Sequence, residues 1–284
     1  MLLSTQTDVT ASRYGQAEAV RMIAAAGFDA ADISMFDDPY NNWMYLDGFE
    51  EHAGEIKRAA KEAGIVLNQA HAPFPTMKDG DAAFNEKRMA QVKRAIEIAG
   101  MLVIPHIIVH PVVFKKQMKA KNLAMYEELR PVAERAGVKI ALENMWGWDD
   151  RRNIITKNVC SDAKGLADYY DALDPDRFTV CLDIGHVGLV GDYEADTIRR
   201  LGPERLPCLH VHDTDYRNDL HTLPYCGRLP WKEIMEALGQ IGYTGDLTFE
   251  ADNFIKPLPD ALIPSALKYM HDVGRELIRM TNPG

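Results

Sequence analysis

Helical patterns that end in Ala-Gly and lead at once into a short apolar run recur through this chain, and that repeat narrows the fold most. YGQAEAVRMIAAAG, FEEHAGEIKRAAKEAG, FNEKRMAQVKRAIEIAG and MKAKNLAMYEELRPVAERAG place apolar residues every three to four positions, the period of a helix with one buried face. Gly27, Gly64, Gly100 and Gly137 end them with a residue that tolerates a left-handed cap, and WKEIMEALGQIGY repeats the device near the end. Between and beyond these lie strand candidates: MLLSTQ (1–6), FDAADIS (28–34), IVLNQAH (65–71), LVIPHIIVH (102–110), VKIALEN (138–144), FTVCLD (178–183), LPCLHVH (206–212) and DLTFEA (246–251). Eight such runs with helices between them predict an α/β fold, a closed parallel (β/α)8 TIM barrel, spanning 1–284 as one domain. The competing open doubly wound sheet is weakened because no Gly-rich dinucleotide loop follows the first strand.

With 284 residues, 46% of them hydrophobic, the chain can bury a full core. Its formal net charge of −10 argues against a sequence-independent grip on nucleic acid, which relies on clustered Lys and Arg. Cys160, Cys181, Cys208 and Cys226 form no CxxC pair, a usage that suits a reducing compartment. The opening MLLSTQTDVTAS does not read as a signal peptide, and no apolar run approaches the roughly 18–20 residues of a membrane span. A soluble, cytoplasmic protein is the expectation, with homo-oligomerisation left open.

Polar residues gather where the strands end. His71 closes the third run, His110 the fourth, Glu143 the fifth, Asp183 the sixth, His210 or His212 the seventh and Glu250 the eighth. In a parallel barrel all those ends open onto one face, so these side chains converge on one cavity. A glutamate directly after the apolar run IAL is hard to place otherwise, because an unpaired buried charge is costly. Glu143, Asp183, His210 and Glu250 form a donor set suited to Mg, Mn, Co or Zn. His210 and His212 point to the same face of an extended strand, so either could be the ligand while the other holds substrate. Asp213 either orients an imidazole or begins the polar loop DTDYRND. Trp146 and Trp148 offer ring faces above the site for a sugar or cyclitol, or pack the loop.

QAHAPF, IIVHP, ALEN, CLDIGH, LHVHDTD, NDLHTLP, GRLPW and the final TFEA occur in one order along nearly the whole chain. In that order they resemble the xylose isomerase-like TIM barrel superfamily: sugar and sugar-phosphate isomerases, 3-epimerases, inosose dehydratases and apurinic-site endonucleases of the endonuclease IV type. The resemblance implies one divalent ion on Glu143, Asp183, His210 and Glu250, with Glu143 and Glu250 also carrying protons. It implies substrate contacts from His186 and Arg217, with His71, His110 and His212 as further imidazoles facing the substrate. The nuclease branch adds two zincs, and this chain matches its extra ligands with His71, His110, His186, Asp219 and His221. One departure stands out: LPYCGRLPW replaces the glycine-rich acidic turn, roughly Leu-Pro-Pro-Gly-Glu-Gly, frequent in the family.

The expected reaction is proton transfer beside the carbonyl of a sugar, sugar phosphate or cyclitol through an enediolate, as in an isomerase or 3-epimerase. A keto-cyclitol dehydratase, a multinuclear zinc hydrolase and a catalytically silent sugar-binding barrel are the alternatives.

Overall fold

The computed structural model describes residues 1–281. Its main sheet has eight parallel strands: β1 (Leu3–Gln6), β2 (Ala30–Ser34), β3 (Val66–His71), β4 (His106–Ile108), β5 (Lys139–Glu143), β8 (Phe178–Asp183), β9 (Cys208–His210) and β10 (Leu247–Phe249). They run in the order β10-β1-β2-β3-β4-β5-β8-β9. The two ends meet where Val211 pairs with Phe249; the Val211 N–H donates to the Thr248 carbonyl at 2.9 Å, and the Glu250 N–H to the Val211 carbonyl at 3.2 Å. The chain is thus a closed (β/α)8 barrel with helices outside, Leu3, Ile33, Ile107, Leu182 and Phe249 lying in the buried core.

The helical patterns form Gln16–Ala25, Phe49–Ala63, Ala82–Met101 and Met118–Ala136. Gly27, Gly64 and Gly137 take positive φ as expected, but Gly100 does not. It lies inside its helix, where a Cβ would meet the Ala136 carbonyl at 2.7 Å, so close helix packing is what its lack of a side chain serves. Val103 takes the left-handed position instead, at φ 61°. For that reason the run 102–110 yields only a three-residue strand, its first half closing the helix and turning before Pro105.

The sequence reading also missed a small antiparallel hairpin, β6 (Trp146–Asp149) with β7 (Ile154–Lys157), standing on the carboxyl-end face beyond β5. Cys160, Cys181 and Cys208 are buried free thiols and Cys226 is exposed. Among the described residues no helix is long and apolar enough to cross a membrane.

Candidate functional site

Strand geometry delivers the floor of the site. Glu143 is the last residue of β5, Asp183 of β8 and His210 of β9, and Glu250 follows β10 directly. Each offers a ligand atom within 4.8 Å of the others. His210 Nδ1 lies 3.0 Å from Glu143 Oε1 and 3.2 Å from Glu250 Oε2. His71, ending β3, and His110, two residues past β4, bring Nε2 atoms to 3.6 and 2.9 Å from Glu143 Oε2. Glu143 therefore belongs to two groups, one with His71 and His110 and one with Asp183, His210 and Glu250.

A second cluster lies beside the first. His186 sits in the short helix Ile184–Leu189, its ring held by Nδ1 at 2.8 Å from the Asn144 carbonyl. His221 is held likewise, Nδ1 at 3.0 Å from the Glu250 carbonyl. Both turn Nε2 toward Asp219 Oδ2, at 3.4 and 3.2 Å. His212 completes the group, with Nε2 3.0 Å from Asp183 Oδ1. A backbone carbonyl on one ring nitrogen leaves the other free as a donor to a cation, the usual preparation of an imidazole ligand.

Carboxylates with oxygens under 5 Å apart repel by about 3–4 kcal/mol per pair even at an effective dielectric of 20. Here the imidazoles offset that. Burial opposes ionisation of Glu143, but His210 and His110 outweigh it and hold the carboxyl well below its usual range. Burial likewise opposes ionisation of Asp183, yet His186 and His212 bring it down to about 2. His71 is disfavoured as a cation by burial and by His210, but Glu250, Asp32 and Glu143 raise it to about 9. Burial dominates at His110 and lowers it.

Several buried polar atoms are left over. Glu143 Oε2, Asp183 Oδ2, Glu250 Oε2, His71 Nε2, His186 Nε2 and His212 Nε2 have no hydrogen-bond partner. The approach of His110 to Glu143 is short without hydrogen-bond alignment. Lone pairs that converge without pairing, on hard and borderline donors, fit a divalent cation.

Sequence reasoning missed Asp32. It is fully buried in β2, accepts from Gln69 Nε2 at 3.0 Å, and lies 3.7 Å from His210 Nε2 and 3.8 Å from His71 Nδ1. A charged residue inside the apolar run AADIS was the available signal. Gln6 was also missed; its amide nitrogen is 2.9 Å from His71 Nδ1. Trp146 lines the cavity and donates to Asp219 Oδ2 at 2.9 Å, whereas Trp148 is 48% exposed on the hairpin and does not line it. Arg217 is exposed and also lies outside the cavity lining. Asp215 fixes a turn there, accepting from the Arg217 and Asn218 backbone N–H groups at 2.9 and 2.7 Å. Asp213 does not orient the His212 ring through its carboxylate. It accepts instead from the backbone N–H groups of Thr214, Tyr225, Arg228 and Leu229 and from Trp231 Nε1, at 2.8–3.1 Å, and so ties down the loop after β9.

The packing below the second cluster is tight at Gly185, where a Cβ would meet His212 Cε1 at 2.0 Å. Gly185→Ala is expected to push His212 off Asp183 and to destabilise the fold by about 1–3 kcal/mol. A thermal melt of the variant that superposes on the unaltered protein would refute this.

The profile of the family described as "Xylose isomerase-like TIM barrel" matches residues 20–273. The chain belongs to this family. Within the xylose isomerase-like family it is similar to a D-psicose 3-epimerase of Ruminiclostridium cellulolyticum, 26% identical over 243 residues that span 81% of this chain and 76% of the relative. Among solved structures, a D-tagatose 3-epimerase-like protein superposes with a TM-score of 0.76 at 19% identity, covering 98% of each chain. A 3-keto-D-glucoside 4-epimerase from E. coli superposes with a TM-score of 0.71 at 17% identity, over 96% of this chain and 99% of that one. The two structural likenesses show the barrel.

Proposed function

We propose that this protein is a divalent-metal-dependent epimerase or isomerase that moves a proton beside the carbonyl of a sugar. One observation carries the reading: two glutamates, Glu143 and Glu250, offer oxygens within 4.8 Å of each other at a single cation-fitting floor completed by Asp183 and His210. The names of the relatives support it, since a ketose 3-epimerase and a 3-keto-glucoside 4-epimerase both invert a carbon next to a ketone.

Glu143, Asp183, His210 and Glu250 would hold the ion, which when bound stabilises negative charge developing on the carbonyl oxygen. The protein's own groups do the rest. One glutamate takes the proton from the carbon beside the carbonyl, and the other returns a proton to that carbon's opposite face. His110, against Glu143, adjusts how readily that carboxylate gives up a proton. His186 would hold a substrate hydroxyl, a role supported by its position in the cavity lining and its unpartnered Nε2.

A second reading has its own observation. The group His186, His212, Asp219 and His221 and the group His71, His110 and Glu143 each offer ligand atoms within 4.8 Å, which favours further ions and a zinc hydrolase of the endonuclease IV type. The net charge of −10 works against a nucleic-acid substrate.

Metal analysis and solvent exchange separate these. We expect one tightly held divalent ion per chain and deuterium uptake at the carbon beside the carbonyl of a ketose or keto-glycoside. Two or three zincs with cleavage of abasic DNA would reverse the assignment. Sugar binding without exchange across a broad panel, with metal restored, would leave a binding barrel.

A further inference from the structure

The cavity above the carboxylates holds about 560 Å³ and has two unlike sides. Glu143, His110, His186, Asp219, His221 and Glu250 form the polar floor. The wall raised by the loops after β2 to β5 presents Phe36, Phe74, Pro111, Val113, Met145 and Trp146.

We propose that this wall receives an uncharged aromatic aglycone, so that the substrate is an aryl glycoside whose sugar ring carries a ketone. The inference rests on the proton-transfer reading above and specifies its substrate class.

Two polar side chains along the wall, Thr76 and Asp79, are already engaged. The Thr76 hydroxyl donates to the His110 carbonyl at 2.9 Å, and Asp79 accepts from the Lys115 N–H at 3.0 Å and pairs with Lys121 at 3.4 Å. The Lys78 ammonium lies 4.2 Å from the centre of the Phe84 ring. A free ketohexose would lay its distal hydroxyls against this surface and gain little from it, whereas an apolar group laid there leaves water together with the wall. A phosphate fares no better, because Lys78 is the sole lysine or arginine among the described lining residues.

Size and exposure favour an added apolar group. The volume falls within the roughly 300–1,000 Å³ of sites that enclose drug-sized ligands, well beyond what a single sugar ring fills. Phe74 and Val113 stand 47% and 48% exposed on the rim, apolar surface that a ligand would take out of water. Phe74 packs over His110 with ring centres 4.7 Å apart, and the Trp146 indole N–H donates to Asp219, so each of these two wall rings is held by a neighbour on the floor.

The chemistry follows from the glycosidic bond. Its anomeric carbon is an acetal and has no carbonyl, so the ketone must lie at another ring carbon. The proton leaves the carbon beside that ketone for one ionised glutamate while the other, protonated, supplies a proton to the opposite face. No net oxidation occurs, and exchange with solvent resets the pair. An enzyme that oxidises a ring hydroxyl to the ketone must therefore act beforehand.

Calorimetric binding of phenyl and methyl β-D-glucopyranoside to the Mn-loaded full chain tests the wall directly. The phenyl compound is expected to bind about tenfold tighter or better. Phe74→Ala and Val113→Asp should each bring the two affinities together, with metal content and the melting transition showing that the variants are folded. Equal affinities in the unaltered protein, or a phenyl advantage that survives both substitutions, would overturn the proposal. An aryl preference without proton exchange on any keto-sugar supports the subsite and removes the epimerase reading. Exchange on free ketohexoses without an aryl preference does the reverse.

Discussion

Glu143→Gln and Glu250→Gln are each expected to lower the rate of proton exchange beside the substrate carbonyl by about 10²–10⁴, the range contributed by a positioned acid or base. The substitution keeps size and shape while removing the charge and most of the proton affinity. Glu143 should be the more sensitive. It contacts His71, His110 and His210 and is common to two donor groups, whereas Glu250 belongs to one. Inactivity alone would not discriminate, because a weakened ion site also silences the enzyme. The comparison therefore belongs at saturating metal, with deuterium incorporation followed by mass spectrometry. Undiminished exchange in both metal-saturated variants would eliminate the two-carboxylate mechanism, even with the ion site intact.

Stripped of metal, the protein should lose stability as pH rises from about 6.5 to about 9. His71 has its ordinary value of 6.5 in the unfolded chain and is raised to about 9 in the fold. A raised imidazole stabilises the native state fully below the unfolded value, and that contribution fades as pH climbs through the folded one. For His71 alone it is on the order of 3 kcal/mol, and His210 and His186 shift in the same direction. Depressed carboxyls such as Asp183, at about 2, add nothing to the slope here, since they are ionised in both states above about pH 5. The metal-loaded protein should behave oppositely, because deprotonated imidazoles bind cations better as pH rises. Melting curves of chelator-treated and Mn-loaded protein at pH 6.5 and 9 are expected to diverge. Parallel curves would show that the buried histidines do not carry this charge.

The barrel and the residues on its floor were legible for one reason: strands that end in charged side chains on a common face leave a repeating mark in the sequence. Asp183 closes FTVCLD and Glu143 closes the run KIALE at the observed strand ends. Residues inside the barrel below that face leave no such mark. Asp32 sits mid-sheet between Ala31 and Ile33, where a lone carboxylate makes sense only once the rings of His71 and His210 are seen beside it. The hairpin was hidden by its shortness and by the charged turn DRRN between its strands. Arg217 shows the opposite case: the family resemblance implied a substrate contact, and the structure leaves it exposed, outside the cavity lining. A loop's local turns depend on which backbone groups are satisfied, and a single sequence does not show that Asp215 takes the N–H groups of Arg217 and Asn218.

The anchor at Asp213 has a bearing on how this barrel could diversify. Of the five groups it holds, four are backbone N–H groups, which every residue but proline supplies. Gly227 is the local exception, since a Cβ there would meet Asp213 Oδ1 at 2.3 Å. The loop's path is thus specified almost without reference to its side chains. The stretch LPYCGRLPW, which departs from the turn that the family resemblance leads one to expect, is tied to Asp213 mainly through its main chain. Side chains along this stretch could therefore change one residue at a time while the backbone bonds that fix its path stay in place.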